Sequence, residues 1–300
     1  MRVAGLLVLI FGVTGCSLSA TSARLEQTQA SVRALGTAHD FEIARRAHAA
    51  ILVELEGLHE LDPDNQDLLY TLVRAWVTET ELFTIDDLES ATDRGDGSSQ
   101  QYQRVRVATG FTRASFWGRE WLRARAPSVD LDAARGELAL ALESEFAAQE
   151  DAEPLLWLGH ALLGASASEQ RGAAELVLER SITLDENARF AGAHMLLGRT
   201  YASDSPTDFE RSRRHFARAE ALAGNKLLLT QFYHASAYHC RQGNLAEFKA
   251  LLHEVLRAPD PEPSLRLENV VAKRRAQRWT LSRPLVNSCT FTAEPERAGG

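Results

Sequence analysis

A small residue recurs where paired helices must touch, and this recurrence constrains the fold more than any other feature of the chain. Between residues 153 and 263 the sequence reads as three successive helical hairpins. In the first, Leu155, Leu158, Gly159 and Leu162 share one helical face. In the second, His194, Leu197, Gly198 and Tyr201 share the same face. The third is looser, with Ala235, Ser236 and His239 in the matching places. Each first helix is followed by a second with its own stripe: Ala174, Leu178, Ser181; then Ser212, Phe216, Ala219; then Phe248, Leu252, Val255. A glycine or serine at the contact lets two helix axes approach closely, while the large residues around it fill the groove.

Gly159 and Gly198 are 39 residues apart. Tetratricopeptide-type (TPR) repeats follow the same logic at a period of about 34 residues. The units therefore read as TPR-like hairpins with longer turns. The expected fold is all-α, with TPR-like helical hairpin repeats forming a superhelical array. Composition agrees. The chain is 45% hydrophobic and 25% charged, which suits a globular protein with a sizeable core. No run of alternating apolar and polar residues is long enough to argue for a sheet. The net charge of −8 argues against a general nucleic-acid binder.

The chain opens MRVAGLLVLIFGVTGC, in which one arginine precedes an apolar run over residues 3–13. That run is short of the roughly 20 residues needed to span a bilayer and suits a signal-peptide core. It ends in Val13-Thr14-Gly15-Cys16, which resembles the bacterial lipobox. The resemblance implies cleavage before Cys16 and lipidation of its thiol, and several acyl chains anchor firmly where one does not. Ser17 follows rather than Asp, which points to the outer membrane, facing the periplasm. The expected boundaries are a leader over 1–15, a Ser/Thr/Ala/Gln-rich tether over 16–38, a helical domain over 39–281 and a loosely held tail over 282–300; from Arg24 the tether is open to helix, as the first turn of the helical domain.

Within the helical domain, helices are expected over 41–61 and 66–88. The intervening Asp62-Pro63-Asp64-Asn65 is a repeat turn, since it lacks the glycine and terminal glutamate of a calcium loop. Residues 91–101 read as a polar loop. Trp117 and Trp121, a turn apart on the next helix, mark a heavy patch that is either core or ligand-facing. The last helix, over 264–281, carries Lys273, Arg274, Arg275 and Arg278, which suit the dipole of a helix end better than an anion site.

No nucleophile elbow, phosphate loop, HExxH or paired CxxC appears, so nothing argues for catalysis, and neither a cofactor nor a metal is expected. His234 and His239, five apart, do not share an α-helical face. Cys240 and Cys289 are left beside Cys16. They either pair in an oxidising compartment or, for Cys240, form a buried apolar thiol, and the sequence leaves both open.

The order of features resembles one family. DPDNQDLLYTLVRAWVTETELF (62–83), the 102–122 helix, PLLWLGHAL (154–162), FAGAHMLLGRTYA (190–202), HFARAEAL (215–222), AEFKALLHEVL (246–256) and LENVVAKRRAQRW (267–279) are similar in that order to TatT, the TRAP-transporter-associated T component. The 202–208 turn and the longer tail depart from it. The resemblance implies a periplasmic lipoprotein that partners the extracytoplasmic solute-binding protein of a TRAP importer. It also implies ligand handling among the helices, and self-association. The residues expected to serve are Cys16 as anchor to the lipid membrane, and Trp76, Trp117, Trp157 and Tyr201 at a ligand or partner surface. The alternative is a generic TPR-type scaffold lipoprotein of envelope assembly, because a concave helical surface binds many partners.

Overall fold

Five helices begin at an aspartate or asparagine whose side chain accepts a hydrogen bond from the backbone N–H three residues on. These are Asp40, Asn65, Asp96, Asp208 and Asn244, and each satisfies one of the orphan donors of a helix start. The computed structural model describes residues 12–165, 171–203 and 206–291, with side chains from residue 21 onwards.

The described chain is helical and holds no strand. It runs α1 (Gly12–Gly36), α2 (Phe41–His59), α3 (Gln66–Thr78), a π-helical turn (Glu79–Thr84) and α4 (Ile85–Asp93). Then come the long α5 (Gly97–Arg125), α6 (Arg135–Glu145), α7 (Ala152–Ala165) and α8 (Arg171–Leu184). The C-terminal half comprises α9 (Gly192–Ser203), α10 (Phe209–Ala223), α11 (Leu228–Tyr233), a second π-helical turn (His234–His239), α12 (Cys240–Gln242), α13 (Leu245–Arg257), α14 (Arg266–Leu281) and α15 (Arg283–Val286).

The stripes expected from the sequence are buried. Leu155, Leu158 and Leu162 of α7 and Ala174 and Leu178 of α8 are inaccessible to solvent. A Cβ on Gly159 would come within 2.6 Å of Leu178, and one on Gly198 within about 3.0 Å of Phe216, so both helix pairs are closed at a glycine. The serines of the second stripes do more than fill space. Buried Ser181 donates to the carbonyl of Ala152, and buried Ser212 donates to that of Gly198, each at 2.7 Å. Each bond pins one helix of the pair to the other.

Two cores result. One gathers Leu55, Leu68, Leu72, Phe111, Trp117, Trp121, Phe146 and Leu158. The other gathers Phe83, Leu196, Phe216, Phe232, Phe248 and Val271. Helix α7 serves both, with Leu155 and Leu158 in the first and Leu156 in the second.

Several expectations are corrected. The tether is helical well before Arg24, within α1, and over its described side chains Thr21, Leu25, Thr28 and Leu35 are buried, because a period of three to four places them on one face. Residues 91–101 are not a loop. Helix α4 runs to Asp93, Gly95 turns the chain at φ 66°, and Asp96 caps α5 at once. The tail from Ser282 to Phe291 is held down by Leu285, by Phe291 set edge-to-face against Phe248 with ring centroids 5.1 Å apart, and by a Cys240–Cys289 disulfide. His234 and His239 do meet, with ring centroids 4.6 Å apart. They lie in a π-helical turn, whose i→i+5 closure stacks residues five apart. The leader before residue 12, the side chain of Cys16 and the last residues from 292 lie outside the described residues.

Candidate functional site

The first π-helical turn and Tyr233, the residue just before the second, line a cavity of about 60 Å³ at the junction between the two cores. Its wall is mainly apolar: Val77 from α3, Leu82 from the first π-helical turn, Leu156 and Trp157 from α7, Met195 and Leu196 from α9, and Leu227 and Leu229 at α11. Gly192 starts α9 against Leu156, where a Cβ would sit 3.1 Å from that side chain.

The polar part of the wall is a buried carboxylate with its charge already matched. Glu81 of the first π-helical turn accepts from Nε2 of His160 at 3.1 Å and from Arg199 at 3.0 Å. It also accepts from the hydroxyl of Tyr233, which immediately precedes the second π-helical turn. Burial alone would raise the Glu81 carboxyl. The charge of Arg199, the hydrogen bond from His160 and the charge of Arg275 outweigh that and hold it well below the usual carboxylate range. Burial lowers His160 below an ordinary histidine against the pull of Glu81. The ring is therefore neutral at neutral pH, and its Nε2–H is the donor.

This cluster continues into α4 and α14. Arg275 grips Glu89 through two nitrogens at 2.7 and 3.1 Å, and donates to Tyr233 at 2.7 Å. Arg278 joins Asp86 and Glu89, and Arg274 joins Asp86 at 2.9 Å. The basic cluster of α14 is thus not an anion site, and Arg278 does stand in the last helical turn. Its arginines are the inner half of an ion-pair network that ties α14 to α4.

The mouth of the cavity is built on strained backbone. Arg189, Phe190 and Ala191, in the turn between α8 and α9, all lie in the left-handed region at φ 47°, 57° and 58°. None is glycine, and each such residue costs about 1–3 kcal/mol, a cost found mostly at ligand clamps and switches. Interactions on both sides hold the turn. Upstream, Glu186 accepts from Arg218 and from His194 at 3.0 Å. Downstream, Arg189 reaches Glu268 of α14 at 2.5 Å, with its guanidinium 5.6 Å from the Trp157 ring.

Of the residues expected to serve, Trp157 lines this cavity, with its indole N–H on Glu153 at 3.1 Å. Trp76 lines a separate groove between α2 and α5 and donates to Glu56 at 2.9 Å. Trp117 and Tyr201 do not join either. Both are buried in the cores, under Arg113 and Arg211 respectively. The residues that sequence reasoning passed over are Glu81, His160, Arg199, Tyr233, Arg189 and Glu268. The available signal was a charge inside an apolar run: Glu81 precedes Leu82-Phe83, and Arg199 follows the contact glycine Gly198.

A family model described as the TRAP transporter T-component matches residues 37–283, which takes in every wall of the cavity. The chain belongs to the TRAP transporter T-component family. A comparison with curated proteins finds no match. As a T-component, the protein is an accessory part of a TRAP transport system, a machinery of the cell envelope. Among the described residues of this T-component no helix is long and apolar enough to cross a membrane. Nor do three or more His, Cys, Asp or Glu side chains among them gather as a metal site.

Proposed function

We propose that this T-component is a lipid-anchored, periplasm-facing accessory protein that docks the solute-binding protein of its TRAP importer and holds solute in the cavity between its two cores. The observation that carries this reading is the apolar chamber whose mouth is closed by a strained, ion-paired turn. Proteins keep strain where a ligand is clamped, and a concave apolar site with a few convergent polar groups is where small molecules bind. In this reading residues 1–15 are a leader and Cys16 carries the acyl chains at the outer membrane. Residues 39–281 form a TPR-like superhelical array, with α7/α8 and α9/α10 as its hairpins. The glycine contacts at Gly159 and Gly198 support the repeat reading. The Cys240–Cys289 disulfide supports an oxidising compartment, where such bonds persist.

The test is affinity purification of the full-length protein from solubilised envelopes of its own host. The solute-binding protein of a TRAP system should co-purify. A Cys16→Ser variant should leave the membrane fraction. Recovery of outer-membrane assembly factors, with no solute-binding protein, would replace this reading by the scaffold alternative.

A further inference from the structure

The mouth of the cavity carries two opposite charges that are only half used. Arg189 spends one nitrogen on Glu268 Oε1, and a guanidinium carries five N–H donors in a planar fork that suits a carboxylate. Glu268 turns its other oxygen, Oε2, into a buried position with no hydrogen-bond partner. A buried carboxylate oxygen without a donor is costly, so it calls for one from outside the protein. Both residues line the cavity, and behind them the wall is Leu82, Leu156, Met195 and Leu196. The other carboxylate of the wall, Glu81, is already matched by Arg199, His160 and Tyr233.

We propose that the cavity takes a small zwitterion with a short aliphatic body, an amino acid of about the size of valine. Its carboxylate meets the free edge of the Arg189 guanidinium, its ammonium donates to Glu268 Oε2, and its side chain enters the leucine- and methionine-lined chamber. A simple anion would satisfy Arg189 but lie against the Glu268 carboxylate. A simple amine would satisfy Glu268 but lie against the guanidinium. Only a ligand with both charges on one carbon answers both groups. Size sets the other limit. The chamber, at about 60 Å³, is well below the roughly 150 Å³ of a cavity that accepts benzene, so aromatic side chains are excluded. The strained turn at Arg189 fits this role, because it fixes the guanidinium at the mouth rather than leaving it to swing in solvent.

This proposal rests on reading the cavity as a solute site, and the experiment separates the two. Titration calorimetry on the purified full-length protein compares L-valine, isovalerate, isobutylamine and L-phenylalanine, with binding to the solute-binding protein measured in parallel. The expected result is that valine binds at least tenfold more tightly than each of the other three. Arg189→Gln and Glu268→Gln should each weaken valine at least tenfold, with circular dichroism showing that both remain folded. Equal or tighter binding of isovalerate or isobutylamine would overturn the zwitterion while keeping a solute site, and equal or tighter binding of phenylalanine, itself a zwitterion, would overturn the short aliphatic body. Binding of none of the four by a folded protein would overturn both, and an intact complex with the solute-binding protein would then leave only docking.

Discussion

Arg199 on α9 reaches Glu81 in the first π-helical turn at 3.0 Å, joining two segments 118 residues apart in sequence across the junction of the two cores. The carboxylate is 4% exposed and holds three donors at once. Replacing such a group by an apolar side chain strands its partners. Breaking a buried ion pair from one side costs about 3–5 kcal/mol. Glu81→Ala should therefore destabilise the protein by about 3–5 kcal/mol in urea unfolding. A loss below about 1 kcal/mol, the scale of exposed pairs, would show that water already enters the cluster.

A glycine contact can be tested by adding one methyl group. At Gly159 a Cβ would sit 2.6 Å from both Cγ and Cδ2 of Leu178, a side chain that is itself fully buried. Overpacking of this kind costs about 1–3 kcal/mol. Gly159→Ala should lower stability by that amount, against the gain of about 1 kcal/mol that alanine brings to an ordinary helix interior. Stabilisation would contradict the close approach of α7 and α8.

How far the sequence could be read depends on which period governs a segment. The α7, α8, α9 and α10 stripes were legible because a 3.6-residue period places Leu155, Leu158 and Leu162, or Phe216 and Ala219, on one buried face. The two π-helical turns were not, because nothing in the residue types of Glu79–Thr84 or His234–His239 announces an i→i+5 closure. That closure decides where Glu81 points and why His234 meets His239. The mouth was hidden for a different reason. Arg189, Phe190 and Ala191 are residue types that avoid the left-handed region, and only tertiary contacts such as Arg189–Glu268 hold them there. Trp117 and Tyr201 turn inward instead of to a surface, and the sequence does not separate the two, because an aromatic at helical spacing looks the same whether it faces a ligand or a neighbouring helix.

Acid should unfold the protein through its histidines before its carboxylates. Burial, then the charges of His194, Arg211 and Arg214, push His215 down to about 4, and burial, then His234, pushes His239 down to about 4. Unfolded histidines titrate near 6.5. Between pH 6.5 and about 4 the unfolded chain therefore binds more protons than the folded one, so stability falls as pH drops through this window. His215 adds a geometric constraint, since its Nδ1 faces Nδ1 of His194 at 2.8 Å and the two cannot both carry a proton there. Melting temperature should decline steadily from pH 6.5 to 4, and less steeply in His215→Gln. An unchanged melting temperature across that range would contradict the assignment.

The disulfide closes a loop of 49 residues between Cys240 and Cys289. Chain entropy assigns roughly 4 kcal/mol to a loop of that size. Cys240→Ser should lose about that much stability under oxidising conditions and nothing further on reduction. If reduction leaves the unfolding midpoint of the native protein unchanged, the bond is absent from the protein as isolated.

The central claim, that this T-component works by docking a solute-binding protein, is tested most directly by native mass spectrometry of the full-length protein mixed with the solute-binding protein of its own TRAP system. A saturable complex of fixed stoichiometry is expected. Two folded proteins that form no complex at any accessible concentration would contradict it.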